Sequence, residues 1–201
     1  FRYDLYGTYT ERNEITVGVN GANSLTDSVS SSIKFEGVRH DVYVSKSGTR
    51  IDNGLEQEYK FTITVSSTYG TNGKPIVIDD YLTRTYRSSE SRVVKNLIVK
   101  DKNNNDITSS VGFTINNNLS TSATSSYIDV FEGTLPALEA GGKYTITYSI
   151  VDTFALDSGE GTVGVVNYVK VTSDDISDYD SETESAYEYF EWQVYKYSSG
   201  F

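Results

Sequence analysis

The chain has 201 residues, 17 of them Tyr, with no Cys, no Met and a formal net charge of -11. Lack of Cys excludes a disulfide framework, a thiolate nucleophile and any Cys-ligated metal, and no run approaches the ~18 to 20 apolar residues of a membrane-spanning helix. The lack of such a run predicts no membrane insertion, and an acidic chain is a poor partner for phosphate, which dominates nucleic-acid affinity, so no nucleic acid is expected to bind it.

Val plus Ile total 33 and Ser plus Thr total 48, against 15 for Leu plus Ala. That excess of β-branched and small polar residues is the profile of pleated, half-buried sheet surfaces. The sequence opens on Phe1 without a positively charged leader, and is expected to be a mature subunit or an excised fragment.

In chain order, period-2 alternation predicts strands at Glu14–Val19, Ile33–Lys46 and Tyr59–Val65. Further runs follow at Pro75–Leu82, Val94–Lys100, Val111–Ile115, Tyr127–Phe131, Tyr144–Ile150 and Val163–Thr172. The dipeptides Asn20–Gly21, Asn53–Gly54 and Asn72–Gly73 supply the positive φ of tight turns. Nothing reads as a helix of more than a turn or two. Many short strands with such punctuation predict an all-β, antiparallel Ig-like β-sandwich with additional N- and C-terminal strands. Three segments are expected. Residues 1–40 supply strands of the same sandwich or of a preceding module, 41–173 form the sandwich, and 174–201 combine an acidic tether with an aromatic terminal strand.

The charge is concentrated in one place. From Asp174 to Glu191 there are eight acids and no base, so removing that window takes -11 to -3 for the rest of the chain. Runs of like charge usually stay solvated, which makes the window a tether. Its acids Asp174, Asp175, Asp178 and Asp180 are also dense enough to be the candidate ligands of a calcium ion, the one cofactor the sequence offers.

Several stretches resemble a repeat of bacterial surface proteins. They are Val44–Ser45–Lys46–Ser47–Gly48, Gly54 to Val65, Ile76–Val77–Ile78–Asp79–Asp80–Tyr81–Leu82, Leu97 to Lys102 with Asp106–Ile107–Thr108, and Leu135 to Tyr148. The module they resemble is the Ig-like repeat of fimbrial shafts and adhesin stalks, of the collagen-adhesin type that can carry an intramolecular isopeptide bond. The resemblance spans roughly Asp41 to Thr172. It departs where the family's Pro after the Asp-x-Leu strand is replaced by Thr83.

The resemblance implies a Lys on the first strand joined to an Asn on the last, assisted by a buried acid on a middle strand. Strand parity supplies the candidates, because residues two apart face the same way. Lys46 shares a face with Val42 and Val44, Asp80 with Ile76, Ile78 and Leu82, and Asn167 with Val163, Val165, Val169 and Val171. Asp79, on the opposite face, is the second-choice acid. Alternatively, Lys46 sits at an exposed strand end, Asp80 opens a turn and Asn167 bonds a neighbouring backbone.

Other motifs carry less. His40 is the only histidine, and no nucleophile motif accompanies it. Asp101 to Asp106 places oxygen ligands at alternate positions but lacks the Gly and the bidentate Glu of a calcium loop. Beyond the acids, Tyr187, Tyr189, Phe190, Trp192, Val194 and Tyr195 put aromatic and apolar side chains on both faces of a strand. They read as the last strand of this sandwich or the first of a further module, and are candidates for strand addition to a neighbouring subunit, as is Phe1–Thr10.

The expected function is a non-enzymatic structural or stalk module of an extracellular bacterial surface fibre or adhesin, secreted or displayed at the cell surface. Its partners would be copies of itself or adjacent modules. The alternative is an adhesin module binding carbohydrate or host protein through exposed Tyr and Trp.

Overall fold

The computed structural model describes residues 7–17, 25–35, 39–156 and 159–190. The chain divides into two compact units, Phe1–Arg39 and His40–Phe201. In the first, β1 (Gly7–Val17) and β2 (Leu25–Phe35) form a two-stranded antiparallel sheet with register running from Gly7 opposite Phe35 to Val17 opposite Leu25. The predicted strand Ile33–Lys46 is therefore two strands, β2 and β3 (Tyr43–Asn53), separated by the unit boundary. The Asn20–Gly21 turn lies outside the described residues.

The second unit is the antiparallel sandwich that the composition and alternation imply. One sheet has the order β3–β4–β9–β6, with β4 at Glu56–Ser66, β6 at Ser91–Lys100 and β9 at Lys143–Thr153. The other has the order β11–β10–β5–β8–β7, with β5 at Ile76–Thr85, β7 at Gly112–Ile115, β8 at Ile128–Leu135, β10 at Gly159–Ser173 and β11 at Ile176–Phe190. Alternate residues of each strand point inward. Tyr59, Phe61, Ile63 and Val65 of β4 meet Ile76, Ile78 and Leu82 of β5 and Val165, Val169 and Val171 of β10 in one continuous core. Full burial of side chains of this size contributes about 1.5 to 3 kcal/mol each, so the facing rows hold the sheets together.

The turns follow the local chemistry. Asn53 and Gly54, the latter at φ 71°, join β3 to β4 as a hairpin. Asn72 at φ 51° and Gly73 at φ 70° instead carry the chain from β4 in one sheet towards β5 in the other, so this Asn–Gly pair serves a crossover between sheets.

The acidic window is a strand, which corrects the tether expected from its charge. Positions Ile176 to Phe190 pair with β10 over its full length, from Ser173 opposite Ile176 to Gly159 opposite Phe190, turning through Asp174 at φ 53°. Two observations explain how so many acids are accommodated. Asp178 accepts the backbone N–H of Val44 at 2.8 Å and Asp180 accepts that of Lys46 at 2.7 Å, so carboxylates of β11 satisfy donors along the edge of β3. Arg50 of β3 pairs with Glu188 of β11. The β10–β11 approach itself depends on Gly164, at φ 144°, where a Cβ would lie 2.3 Å from the carbonyl oxygen of Glu184.

Candidate functional site: a polar cluster between the sheets

Four polar side chains meet inside the core. Lys46 of β3 and Tyr148 of β9 come from the four-stranded sheet, and Asp80 of β5 and Asn167 of β10 from the five-stranded one. All four residues are buried, at relative exposures of 7%, 2%, 1% and 0% in that order. The amine of Lys46 bonds Asp80 Oδ2 directly and donates to the Tyr148 hydroxyl at 2.9 Å. That hydroxyl donates to Asp80 Oδ1 at 2.8 Å and accepts from Asn167 Nδ2. Among the described residues Asn167 Oδ1 has no hydrogen-bond partner.

Backbone irregularities adjoin both members from the five-stranded sheet. The register of β10 against β5 shifts between Val166 and Asn167, and that of β5 against β8 shifts between Asp80 and Tyr81. Such bulges re-aim side chains locally. The surroundings are aromatic: Lys46 Nζ lies 5.1 Å from the Phe61 ring centre and 5.4 Å from that of Tyr148, and Tyr148 packs edge-on against Phe131.

Burial sets the electrostatics. Desolvation holds the Lys46 amine below its ordinary value against the opposing pull of Asp80, and pushes the Asp80 carboxyl above the usual range despite Lys46 beside it. The two shifts converge, which favours a proton shared within the pair over two separated charges. Desolvation, reinforced by the Asp80 charge, also places the Tyr148 phenol well above 10, so it remains a neutral donor and acceptor.

No family model and no curated protein matches this chain. Solved structures similar to it include the collagen-binding domain of a Staphylococcus aureus adhesin, at 14% identity and TM-score 0.38 over 75% of this chain and 100% of that one. The collagen-binding domain of Erysipelothrix rhusiopathiae surface protein RspB is similar over 91% of this chain and 62% of that one, at 10% identity and TM-score 0.37. Crystalline collagen adhesin from S. aureus is similar at 13% identity and TM-score 0.32, over 83% of this chain and 58% of that one.

The other sequence candidates are placed elsewhere. Asp79 is half-buried on the outer face of β5, away from the cluster. Asp178 and Asp180 are engaged by the β3 backbone, Asp175 bonds His40 at 3.1 Å, and no group of three metal-ligating side chains converges among the described residues. Asp101 receives the backbone N–H groups of Asn103 and Asn105, which makes its loop self-contained. Tyr187 is exposed on β11, whose stretch through Tyr189 and Phe190 pairs with β10 of the same chain. Trp192, Val194 and Tyr195, like the first six residues of Phe1–Thr10, lie outside the described residues.

Two buried groups, Tyr148 and Arg92, are not marked out by strand parity. Tyr148 reads in the sequence as one more inward aromatic, yet a buried phenol requires a polar partner, and that requirement is the available signal. Arg92 is fully buried and binds Asp152 through Nε at 2.7 Å, with Nη2 reaching the Arg87 carbonyl at 3.1 Å.

Proposed function

We propose that this chain is a structural or stalk module of an extracellular bacterial surface protein, and that a covalent bond between Lys46 and Asn167 staples its two sheets. The observation that carries the reading is the sealed Lys46–Asp80–Tyr148–Asn167 cluster. Buried ionisable groups are costly unless paired, and an ion pair in this place is no better for stability than packed apolar residues. A reactive role accounts for keeping them.

The chemistry balances within the cluster. Lys46 passes a proton to Asp80 and becomes a neutral nucleophile, as desolvation favours. Its Nζ attacks Asn167 Cγ, the Cγ–Nδ2 bond breaks, and ammonia departs. The new amide N–H keeps one of the three amine hydrogens, ammonia carries off one more than the carboxamide nitrogen held, and the remaining one stays on Asp80. A chain without Cys thereby acquires a crosslink that reducing agents cannot open, joining β3 at one sheet's edge to β10 in the other. Intact mass tests the reading: the wild-type chain should be lighter than its sequence by one ammonia, and Lys46→Ala should not.

A second reading is favoured by a separate observation. Tyr179, Tyr168, Tyr81 and Tyr127 form a row across the outer face of the five-stranded sheet, with successive ring centres 5.6, 5.0 and 4.8 Å apart. Tyr127 and Tyr179 are 73% and 66% exposed. Beside the row an open groove of about 820 Å³ is lined by Tyr81, Tyr127, Asn117, Asn118 and Asp129, among others, and by no Lys, Arg or His. A contiguous exposed aromatic surface beside a polar groove marks a binding site, for neutral carbohydrate or for a host-protein segment. Binding to a glycan panel that is lost in Tyr127→Ala and Tyr179→Ala would support it, and unchanged binding would remove the row from the site.

A further inference from the structure

We propose that Tyr148 is a catalytic member of the cluster, the proton relay that turns the carboxamide nitrogen of Asn167 into a leaving group. The inference rests on the reading that Lys46 and Asn167 become joined, and adds to it a residue that speeds the joining.

The difficulty of the reaction lies with the leaving group. After Nζ has attacked Cγ, the tetrahedral centre carries an amide nitrogen that must leave as ammonia, and it needs a third hydrogen to do so. Asp80 holds the proton taken from Lys46, but it contacts Lys46 through Oδ2 and Tyr148 through Oδ1. The group bonded to Asn167 Nδ2 is the Tyr148 hydroxyl. Asp80 also senses the Asn167 carboxamide, but the hydrogen bonds already formed lead from the stored proton through the phenol oxygen to the departing nitrogen.

A half-turn of the Asp80 carboxyl about Cβ–Cγ brings the oxygen protonated by Lys46 to the position that faces Tyr148, and each later transfer is between atoms in contact. That carboxyl O–H donates to the phenol oxygen while the phenol O–H turns from Asp80 to Nδ2, so the hydroxyl gives one hydrogen and receives another. Nδ2 then holds three hydrogens and the Cγ–Nδ2 bond breaks as the carbonyl re-forms. Asp80, ionised by that transfer, takes the second proton from the Nζ now bonded to Cγ. Tyr148 ends as it began and is never charged, as required of a phenol whose ionisation is suppressed by burial and by the adjacent carboxylate. The same bond fixes the Asn167 carboxamide with its nitrogen towards the relay, leaving Oδ1 as the atom without a partner.

The ring is also a packing element, with centres 5.5 Å from Phe61 and 5.2 Å from Phe131. The test must separate hydroxyl from ring. The full chain is denatured straight after synthesis, before joining is complete, then refolded, and the loss of ammonia is followed by intact mass for wild type, Tyr148→Phe and Phe131→Leu. Tyr148→Phe keeps the ring and should slow the loss on the order of a hundredfold, the usual worth of a positioned proton-transfer group. Phe131→Leu loosens the ring's packing and should slow it far less. Near-ultraviolet circular dichroism checks that both variants refold. Equal rates for wild type and folded Tyr148→Phe would overturn the relay while leaving the Lys46–Asn167 bond standing. Slowing of Phe131→Leu to the same degree would reduce Tyr148 to packing. A wild-type chain that keeps its full mass overturns both the bond and the relay.

Discussion

Lys46 and Asp80 reach each other from opposite sheets, and both side chains are completely shielded from solvent. Each is the other's only partner of opposite charge in the cluster, the Tyr148 hydroxyl being neutral, so removing one leaves the other's charge uncompensated. Asp80→Ala is expected to destabilise the fold by about 3 to 5 kcal/mol, as breaking a buried pair does, and to prevent loss of ammonia. Asp80→Asn keeps the shape and a hydrogen-bonding group but cannot store a proton. It should fold with a smaller loss and retain its full mass, and thermal melts with intact mass on the two variants separate the effects.

The same pair dictates a pH profile for the joining reaction. The productive form holds one proton, with neutral Lys46 and protonated Asp80. As pH falls through the lowered Lys46 value the amine gains a second proton and loses its lone pair, so the rate falls. As pH rises through the raised Asp80 value the stored proton is lost and the rate falls again. Because desolvation moves Lys46 down and Asp80 up, the acid limb lies lower than a free lysine would place it and the alkaline limb higher than a free aspartate would. Refolding at a series of pH values with mass detection checks this. A single rise following the ordinary titration of lysine would contradict it.

Asp180 links the terminal hairpin to this chemistry. Its carboxylate accepts the Lys46 N–H, and its charge holds the Lys46 amine higher than burial alone would. Asp180→Ala leaves an edge N–H without its acceptor and should cost about 1 kcal/mol in a thermal melt. Asp180→Asn retains an acceptor and should cost less. Both remove the charge, so both should shift the acid limb of the joining rate to lower pH, a change that a purely structural role for Asp180 would not produce.

Strand parity made much of the core legible in advance. The inward rows of β3, β4, β5, β9 and β10 follow from alternation alone, and three of the four cluster residues stand out as polar interruptions of apolar rows. Tyr148 escaped because its ring satisfies the apolar pattern and only its hydroxyl belongs to the site. The β11 strand was hidden for another reason. Asp178, Asp180, Glu182 and Glu184 alternate with Tyr179, Ser181 and Thr183 in strand period, but a row of acids is normally a solvated run. Here the row faces donors on the edge of β3, a relation between strands more than 130 residues apart that no local pattern contains. The split of the predicted Ile33–Lys46 strand is legible locally, since the apolar positions change phase from Ile33 and Phe35 to Val38, Val42 and Val44, which a single regular strand does not do.

The Arg92–Asp152 pair offers a control for every stability measurement on the cluster. Arg92 lies on β6, Asp152 on β9, and the guanidinium ties the Arg87 and Ser120 carbonyls to that pairing. Arg92 is 2% exposed and Asp152 1%, with burial pushing the Asp152 carboxyl up against the opposing effect of Arg92. Arg92→Ala should therefore destabilise by about 3 to 5 kcal/mol, the cost of stranding a buried charge, and the double variant Arg92→Met with Asp152→Leu should recover most of that loss. Neither change touches Lys46, Asp80, Tyr148 or Asn167, so refolded chains of both should still lose ammonia. If the double variant melted no higher than Arg92→Ala, the bonds to the loop carbonyls, rather than the buried charge, would account for the contribution of Arg92.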